Sequence, residues 1–203
     1  MKVSRVFLDA NVLYSRTLCD WIFMLRLEAP GMFRLYSSAD VLDEVAYHLR
    51  KNKPLADGRV IQAKRDHLRR FLDDVVTDFP GDVPFAGDDA HDVHVHAAAV
   101  ESIADYLVSD DRGFEALNKD SAPYEPHTAD TFLCLIAENA PFAVQEVITR
   151  QLAYWSGREG ARSLTDALRE AGCPVFAGRV ESALRAITDG RSVVGALSPA
   201  TGQ

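Results

Sequence analysis

Cysteine is scarce: Cys19, Cys134 and Cys173 are the only three among 203 residues, and they lie far apart. That spacing excludes a disulfide framework and a cysteine metal knuckle. Three buried free thiols in a reducing compartment are expected instead. Long apolar runs are also missing. Nothing approaches the roughly 18–20 continuous apolar residues of a membrane span, and no apolar leader precedes the first expected strand. A cytoplasmic protein without membrane contact is therefore expected. Positive charge is in deficit, with 22 basic residues against 30 acidic ones and a net charge of −8, which opposes bulk attraction to nucleic acid. The Ser, His and Cys residues form no recognisable nucleophile set. Internal repeats and low-complexity blocks are absent.

The charge that is present is unevenly placed. Residues 50–70 hold eight bases (Arg50, Lys51, Lys53, Arg59, Lys64, Arg65, Arg69, Arg70) and two acids. Residues 73–92 hold seven aspartates and no lysine or arginine. Such runs are usually solvated faces. The alternative is a groove for phosphates beside a site for cations, with Arg50, Lys51, Lys53, Lys64, Arg65, Arg69 and Arg70 as the candidate nucleic-acid contacts.

Along the chain, strand and helix signals alternate. Val6-Phe7-Leu8 is a continuous apolar run, the mark of a parallel strand buried on both faces, and Asp9 ends it. A helix follows over residues 19–28 and stops at Pro30-Gly31. Phe33-Arg34-Leu35-Tyr36 reads as a strand. Ser37 or Ser38 then caps a helix to about Lys51, with Val41, Leu42, Val45 and Leu49 as its stripe and Glu44 on the flank. The spacing predicts a further helix over residues 57–75, burying Val60, Ile61, Leu68, Phe71, Leu72 and Val75. Residues 79–89 are loop, broken by Pro80-Gly81 and Pro84. Asp92 falls in the first turn of an alanine-rich helix. Asp105-Tyr106-Leu107-Val108 is a strand, with Ser109-Asp110-Asp111 at its end and a short helix over 112–118. Pro123 and Pro126 bracket an extended piece, and Thr128 starts a helix with Asp130 in its cap. After Pro141 come three helices, about 142–155, 164–171 and 175–187. The expected organisation is an α/β domain over residues 1–140, an all-helical C-terminal extension over 141–188 and a mobile tail over 189–203.

Four acids thus stand at element ends or flanks in four separate segments: Asp9, Glu44, Asp92 and Asp111, with Asp110 as the alternate. If they converge, like charges at close range require a cation. An all-oxygen set selects a hard ion, Mg²⁺ or Mn²⁺ rather than Zn²⁺. Such a site suits phosphodiester hydrolysis without a nucleophilic side chain. His91, His94 and His96 make a poor zinc site, because His94 and His96 point about 200° apart on a helix. Asp88 and Asp89 read as turn residues. Trp21 and Trp155 read as core or interface.

Phe7-Leu8-Asp9-Ala10-Asn11-Val12-Leu13 resembles the opening signature of PIN-domain ribonucleases. Ser38-Ala39-Asp40-Val41-Leu42-Asp43-Glu44-Val45 resembles their second motif. Asp89-Ala90-His91-Asp92-Val93-His94-Val95-His96-Ala97-Ala98-Ala99 resembles the third, and Ala104-Asp105-Tyr106-Leu107-Val108-Ser109-Asp110-Asp111 the fourth. The resemblance spans residues 3–135 and is nearest to the VapC toxins of bacterial type II toxin–antitoxin pairs. It implies a three-layer α/β/α fold around a central parallel sheet, with Mg²⁺- or Mn²⁺-dependent endonucleolytic cleavage of RNA. By position, Asp9, Glu44, Asp92 and Asp111 would hold the metal, and Asn11 and Ser109 would orient them through hydrogen bonds. It further implies a homodimer and a small antitoxin, whose basic side chain would enter the acidic groove.

Two other readings compete with this one. A haloacid dehalogenase-type phosphatase also opens with an acid after its first strand, but wants a second acid two residues on, where this chain has Asn11. A catalytically silent PIN-like RNA-binding or interaction module would gain stability by losing the four acids.

Overall fold

Val6, Phe7 and Leu8 have no exposed surface, as the continuous apolar run requires of a strand covered on both faces. Burying each such side chain contributes about 1.5–3 kcal/mol. They form most of β1 (Ser4–Leu8), the middle strand of the sheet. The computed structural model describes residues 2–87, 89–114, 117, 121–155, 163–189, 193 and 197. Their five strands form an all-parallel sheet flanked by helices, in the order β3-β2-β1-β4-β5. The other strands are β2 (Phe33–Ser38), β3 (Asp74–Val76), β4 (Tyr106–Val108) and β5 (Glu125–His127).

From β1 the chain winds outwards through β2 to β3, then returns to the other side of β1 for β4 and β5. The reversal falls between β1 and β4. The carboxyl ends of strands at such a switch point diverge and leave a crevice. Register places the crevice residues. Leu8 pairs with Val108, and the Asp9 amide donates to the Val108 carbonyl at 3.1 Å. Asp9 and Ser109 therefore leave the sheet side by side.

By contacts the chain divides into two compact units. The first joins residues 1–19 to 31–128. It holds the sheet and the helices α1 (Ala10–Tyr14), α3 (Ala39–Asn52), α4 (Gly58–Phe71) and α5 (Val93–Glu101). The second joins residues 20–30 to 129–203. It takes most of α2 (Arg16–Glu28), together with α6 (Ala129–Asn139), α7 (Pro141–Trp155), α8 (Leu164–Glu170) and α9 (Pro174–Thr188). Its core includes Trp21, set edge-on to Phe176 at 5.1 Å, with Phe132, Val147 and Val180 also buried.

Several expectations need correction. The helix read over residues 57–75 stops at Phe71, and β3 follows. Asp73 exchanges two hydrogen bonds with the Leu35 backbone, starting an edge strand that the β-branched Val75-Val76 continues. On α4 only Leu68 is fully buried, while Val60 is 57 % exposed. Pro126 lies inside β5 rather than bounding it; β5 is an edge strand, where a missing N–H is tolerated. Asp130 accepts from the Val175 and Phe176 amides at 3.0 and 2.8 Å, so it closes the first turn of α9 as well as sitting in the first turn of α6. The segment read as helix over 112–118 begins with a 3₁₀ turn, Arg112–Phe114; residues 115, 116 and 118 lie outside the described residues. So does the expected tail, apart from Asp189, Val193 and Leu197.

α5 ends unusually. The Ala104 amide bonds to Ala99 O and the Ile103 amide to Val100 O, the two bonds of a Schellman close. The left-handed position is Ile103, at φ 51°. Gly172 fills the equivalent place after α8, at φ 84°.

Candidate functional site

At the carboxyl end of the sheet a cleft of about 880 Å³ opens. Asp9, Asn11, Glu44, Asp92 and Asp111 all line it, together with Tyr14, Asp40, His48, Asp89, His91 and His94. The acids arrive from four elements. Asp9 is the residue where β1 becomes α1; its extended backbone caps that helix, and Oδ1 accepts from the Ala10 amide at 2.6 Å. Glu44 sits on α3, whose start is set by Ser38, its hydroxyl accepting from the Val41 amide at 3.2 Å. Asp92 ends a 3₁₀ turn (Ala90–Asp92) and leads into α5. Asp111 follows β4.

A polar network ties the β1 and β4 ends together. Ser109 Oγ donates to Asp9 Oδ2 at 2.6 Å, and Asn11 Nδ2 donates to the same oxygen at 3.0 Å. Asn11 Nδ2 also reaches Ser109 Oγ at 3.0 Å. The Asp111 amide donates to Ser109 Oγ at 3.1 Å and the Asp110 amide to Asn11 Oδ1 at 3.2 Å. Asn11 and Ser109 thus orient Asp9 and hold the turn that presents Asp111. Asp111 lines the cleft; Asp110 is absent from its lining.

Asp92 differs from Asp9 in lacking such partners. It is 7 % exposed, and its Oδ2 is fully buried with no hydrogen-bond partner. Burial, followed by the charges of Asp111, Asp89 and Asp9, raises its pKa from 3.8 to about 6. Burial raises the Asp9 pKa too, against the bonds from Ser109 and Ala10, and the Glu44 charge adds to the rise. A fully buried carboxylate oxygen without a donor is costly. What would relieve it is a cation or a proton. Gly113 backs onto this group: a Cβ there would overlap Asp92 Oδ2 and come within 3.6 Å of Asp111 Oδ1. As the side chains stand, no three His, Cys, Asp or Glu residues among the described residues form a closed metal shell. Asp9, Glu44, Asp92 and Asp111 share a cleft without already chelating.

Sequence reasoning passed over His48 and Tyr14, and weighed His94 only against zinc. His48 Nε2 lies 3.3 Å from Glu44 Oε1, and His94 Nε2 lies 3.8 Å from Glu44 Oε2. His94 Nδ1 donates to the His91 carbonyl at 2.7 Å, which turns Nε2 towards Glu44. The i, i+4 spacing of Glu44 and His48 was a readable signal. Tyr14 left none, because its place depends on how α1 packs against α3. His96 points elsewhere: it is buried, 2.7 Å from the Tyr124 hydroxyl and stacked near Phe85. Asp89 caps its turn as expected, accepting from the His91 amide at 2.8 Å, and lines the cleft as well. Asp88 lies outside the described residues.

The basic arm is not part of the lining. Arg50 donates to the Pro54 and Ala56 carbonyls, and Arg65 pairs with Asp43. Lys64 is half-buried, 3.9 Å from Cys19 Sγ. Lys51, Lys53, Arg69 and Arg70 are exposed.

No curated protein and no solved structure matches the chain. A family model described as PIN domain matches residues 5–113. That segment carries β1 through β4 and all six acids that line the cleft, Asp9, Glu44, Asp92 and Asp111 among them. The chain belongs to the PIN domain family.

Proposed function

We propose that this chain is a Mg²⁺- or Mn²⁺-dependent endoribonuclease and the toxin of a toxin–antitoxin pair. PIN domains are generally nucleases, so hydrolysis of nucleic acid is the coarser part of this reading. The observation that supports the metal dependence is the buried, partnerless Asp92 Oδ2 in a cleft lined by Asp9, Glu44 and Asp111. An oxygen-only set of that charge fits a hard divalent ion. Asp9, Glu44, Asp92 and Asp111 would hold it, with Asn11 and Ser109 keeping Asp9 in one orientation. Once bound, such an ion activates a water and stabilises charge on phosphoryl oxygens. The exposed Lys51, Lys53, Arg69 and Arg70 would bind RNA phosphates outside the cleft. Asn11 hydrogen-bonds Asp9 and is no second acid, which counts against the phosphatase alternative. The toxin setting, a small antitoxin with a basic residue for the acidic cleft, a homodimer and a cytoplasmic location rest on the resemblance to VapC toxins. Among the described residues no single helix is long and apolar enough to cross a membrane.

The test is cleavage of RNA by the full chain with Mg²⁺ or Mn²⁺, against EDTA and Asp9→Asn. Metal-dependent endonucleolytic products that vanish in both controls are expected. Cleavage that survives either control overturns the mechanism, and metal-dependent binding without cleavage identifies a silent module. For the toxin role, expression of the wild-type chain should arrest growth and Asp9→Asn should not.

A further inference from the structure

The acidic cleft has an aromatic edge that the metal chemistry does not use. On α3, Glu44, Tyr47 and His48 stand at i, i+3 and i+4 and so share one side of the helix. Two tyrosines meet the His48 ring edge-on: Tyr14 from the end of α1 at 6.2 Å and Tyr47 at 5.5 Å. Tyr14 is braced from α3, with Asn52 Nδ2 donating to its hydroxyl at 2.7 Å. Tyr14 and His48 line the cleft, and the Glu44 carboxylate is 3.3 Å from His48. Yet Tyr47 is 62 % and Tyr14 36 % exposed. The rings are held by one another, and Tyr47 keeps most of its surface in solvent.

On the nuclease reading above, we propose that Tyr14, Tyr47 and His48 form a base-stacking subsite that takes an unpaired base of a single-stranded nucleic acid next to the cleft. Charge argues for this occupant. The chain is net negative, the cleft is acid-lined, and among the described residues no lysine or arginine lines it. In the metal-free protein, affinity near the acids must come from contacts that do not depend on phosphate attraction, and ring-on-base stacking is such a contact. A base within a duplex shows its edges and not its face, so the subsite selects unpaired nucleotides. Tyr47 protrudes furthest and is the ring on which the base rests; Tyr14 and His48 set its position relative to Glu44.

The experiment measures binding of a fluorescein-labelled RNA by anisotropy in EDTA, so that it does not depend on catalysis. The probes are one sequence single-stranded, annealed to its complement, and carrying successive abasic positions. Tyr47→Ala should weaken single-strand binding about 5- to 100-fold and leave duplex binding unchanged, while Tyr47→Trp keeps the wild-type affinity. At one abasic position the wild type should fall to the affinity of Tyr47→Ala, with no further loss in the variant. Because Tyr47 is exposed, its variants fold, which a thermal melt verifies. Equal losses on both probes, or no loss, overturn the subsite. A change in sedimentation on Tyr47→Ala with RNA affinity intact also overturns it, and makes the ledge a contact between copies. A wild type that binds through Tyr47 without cleaving defeats the nuclease reading and leaves the subsite standing. A wild type that cleaves while Tyr47→Ala binds normally does the reverse.

Discussion

Replacing Asp92 by asparagine should make the metal-free protein more stable while abolishing cleavage. The ionised Asp92 is disfavoured first by burial and then by Asp111, Asp89 and Asp9, which lift its pKa from 3.8 to about 6. A rise of that size corresponds to about 3 kcal/mol against the charged form. The carboxylate borders a cleft, where water screens part of the repulsion, so about 1–3 kcal/mol is the expected gain. A carboxyl whose pKa is raised by folding stabilises the fold below the unfolded value, near 3.8, and loses that contribution as pH climbs through about 6. Asparagine never ionises. The variant and the wild type should therefore melt together near pH 4 and diverge as the pH rises to 6, with the gap constant above it. For a chain of this size each kcal/mol moves the midpoint by about 2–4 °C. The assay is thermal unfolding in EDTA from pH 4.5 to 8, repeated with Mn²⁺. Added Mn²⁺ should raise the wild type and narrow or invert the gap, because a ligand of the native state stabilises by mass action. An Asn variant that melts at or below the wild type at pH 8, or a gap that ignores pH, would refute the reasoning.

Gly113→Ala places a methyl against Asp92 Oδ2, the end of a side chain that can turn away. Mn²⁺ affinity by titration calorimetry should fall about tenfold with little change in melting temperature; equal affinity would show that the close approach is incidental. Ile103→Gly relieves a left-handed β-branched residue that is 75 % exposed. It should raise stability by about 1 kcal/mol in urea unfolding, and a destabilised variant would contradict the strain assigned to that turn. Reversing charge at Lys51 and Lys53 together should weaken RNA binding and flatten its salt dependence; an unchanged salt slope removes the basic arm from the binding surface.

β1 and β4 were legible as apolar runs with an acid or serine just past their ends, and β2 from its short Phe33–Tyr36 stretch before two serines; Asp9 and Asp111, beyond β1 and β4, mark the crevice. β3 was not, since Val75-Val76 prolongs the helical spacing of α4, and only pairing with β2 shows that the chain has turned. Glu44 and Asp92 were legible from helix position. Asp111 was preferred with Asp110 kept as the alternate, because the chain leaves strand geometry after Val108 and alternation no longer says which side chain faces where. The Ser109 hydroxyl, which bonds to Asp9, settles the turn, and that bond exists only through the β1–β4 register. Asp130 illustrates the same limit: its partners at Val175 and Phe176 lie some 45 residues away. The aromatic ledge was hidden for a similar reason, being assembled from α1 and α3. The basic arm was legible as a run of charge, but the Arg65–Asp43 pair shows that part of that charge is spent within the fold.

Residues 20–30 belong to the helical unit although residues on both sides of them belong to the sheet unit. The consequence is that the C-terminal helices are not a detachable accessory. Trp21 rests edge-on against Phe176, and Glu28 pairs with Arg150 at 2.7 Å. A chain cut at residue 140 would keep Trp21 but lose Phe176, the α9 ring that it packs against. Each uncovered apolar group forfeits about 1.5–3 kcal/mol and leaves a sticky patch on the fragment. The two units are interleaved in the polypeptide rather than strung along it, so neither can be inherited, deleted or exchanged as one contiguous stretch of gene.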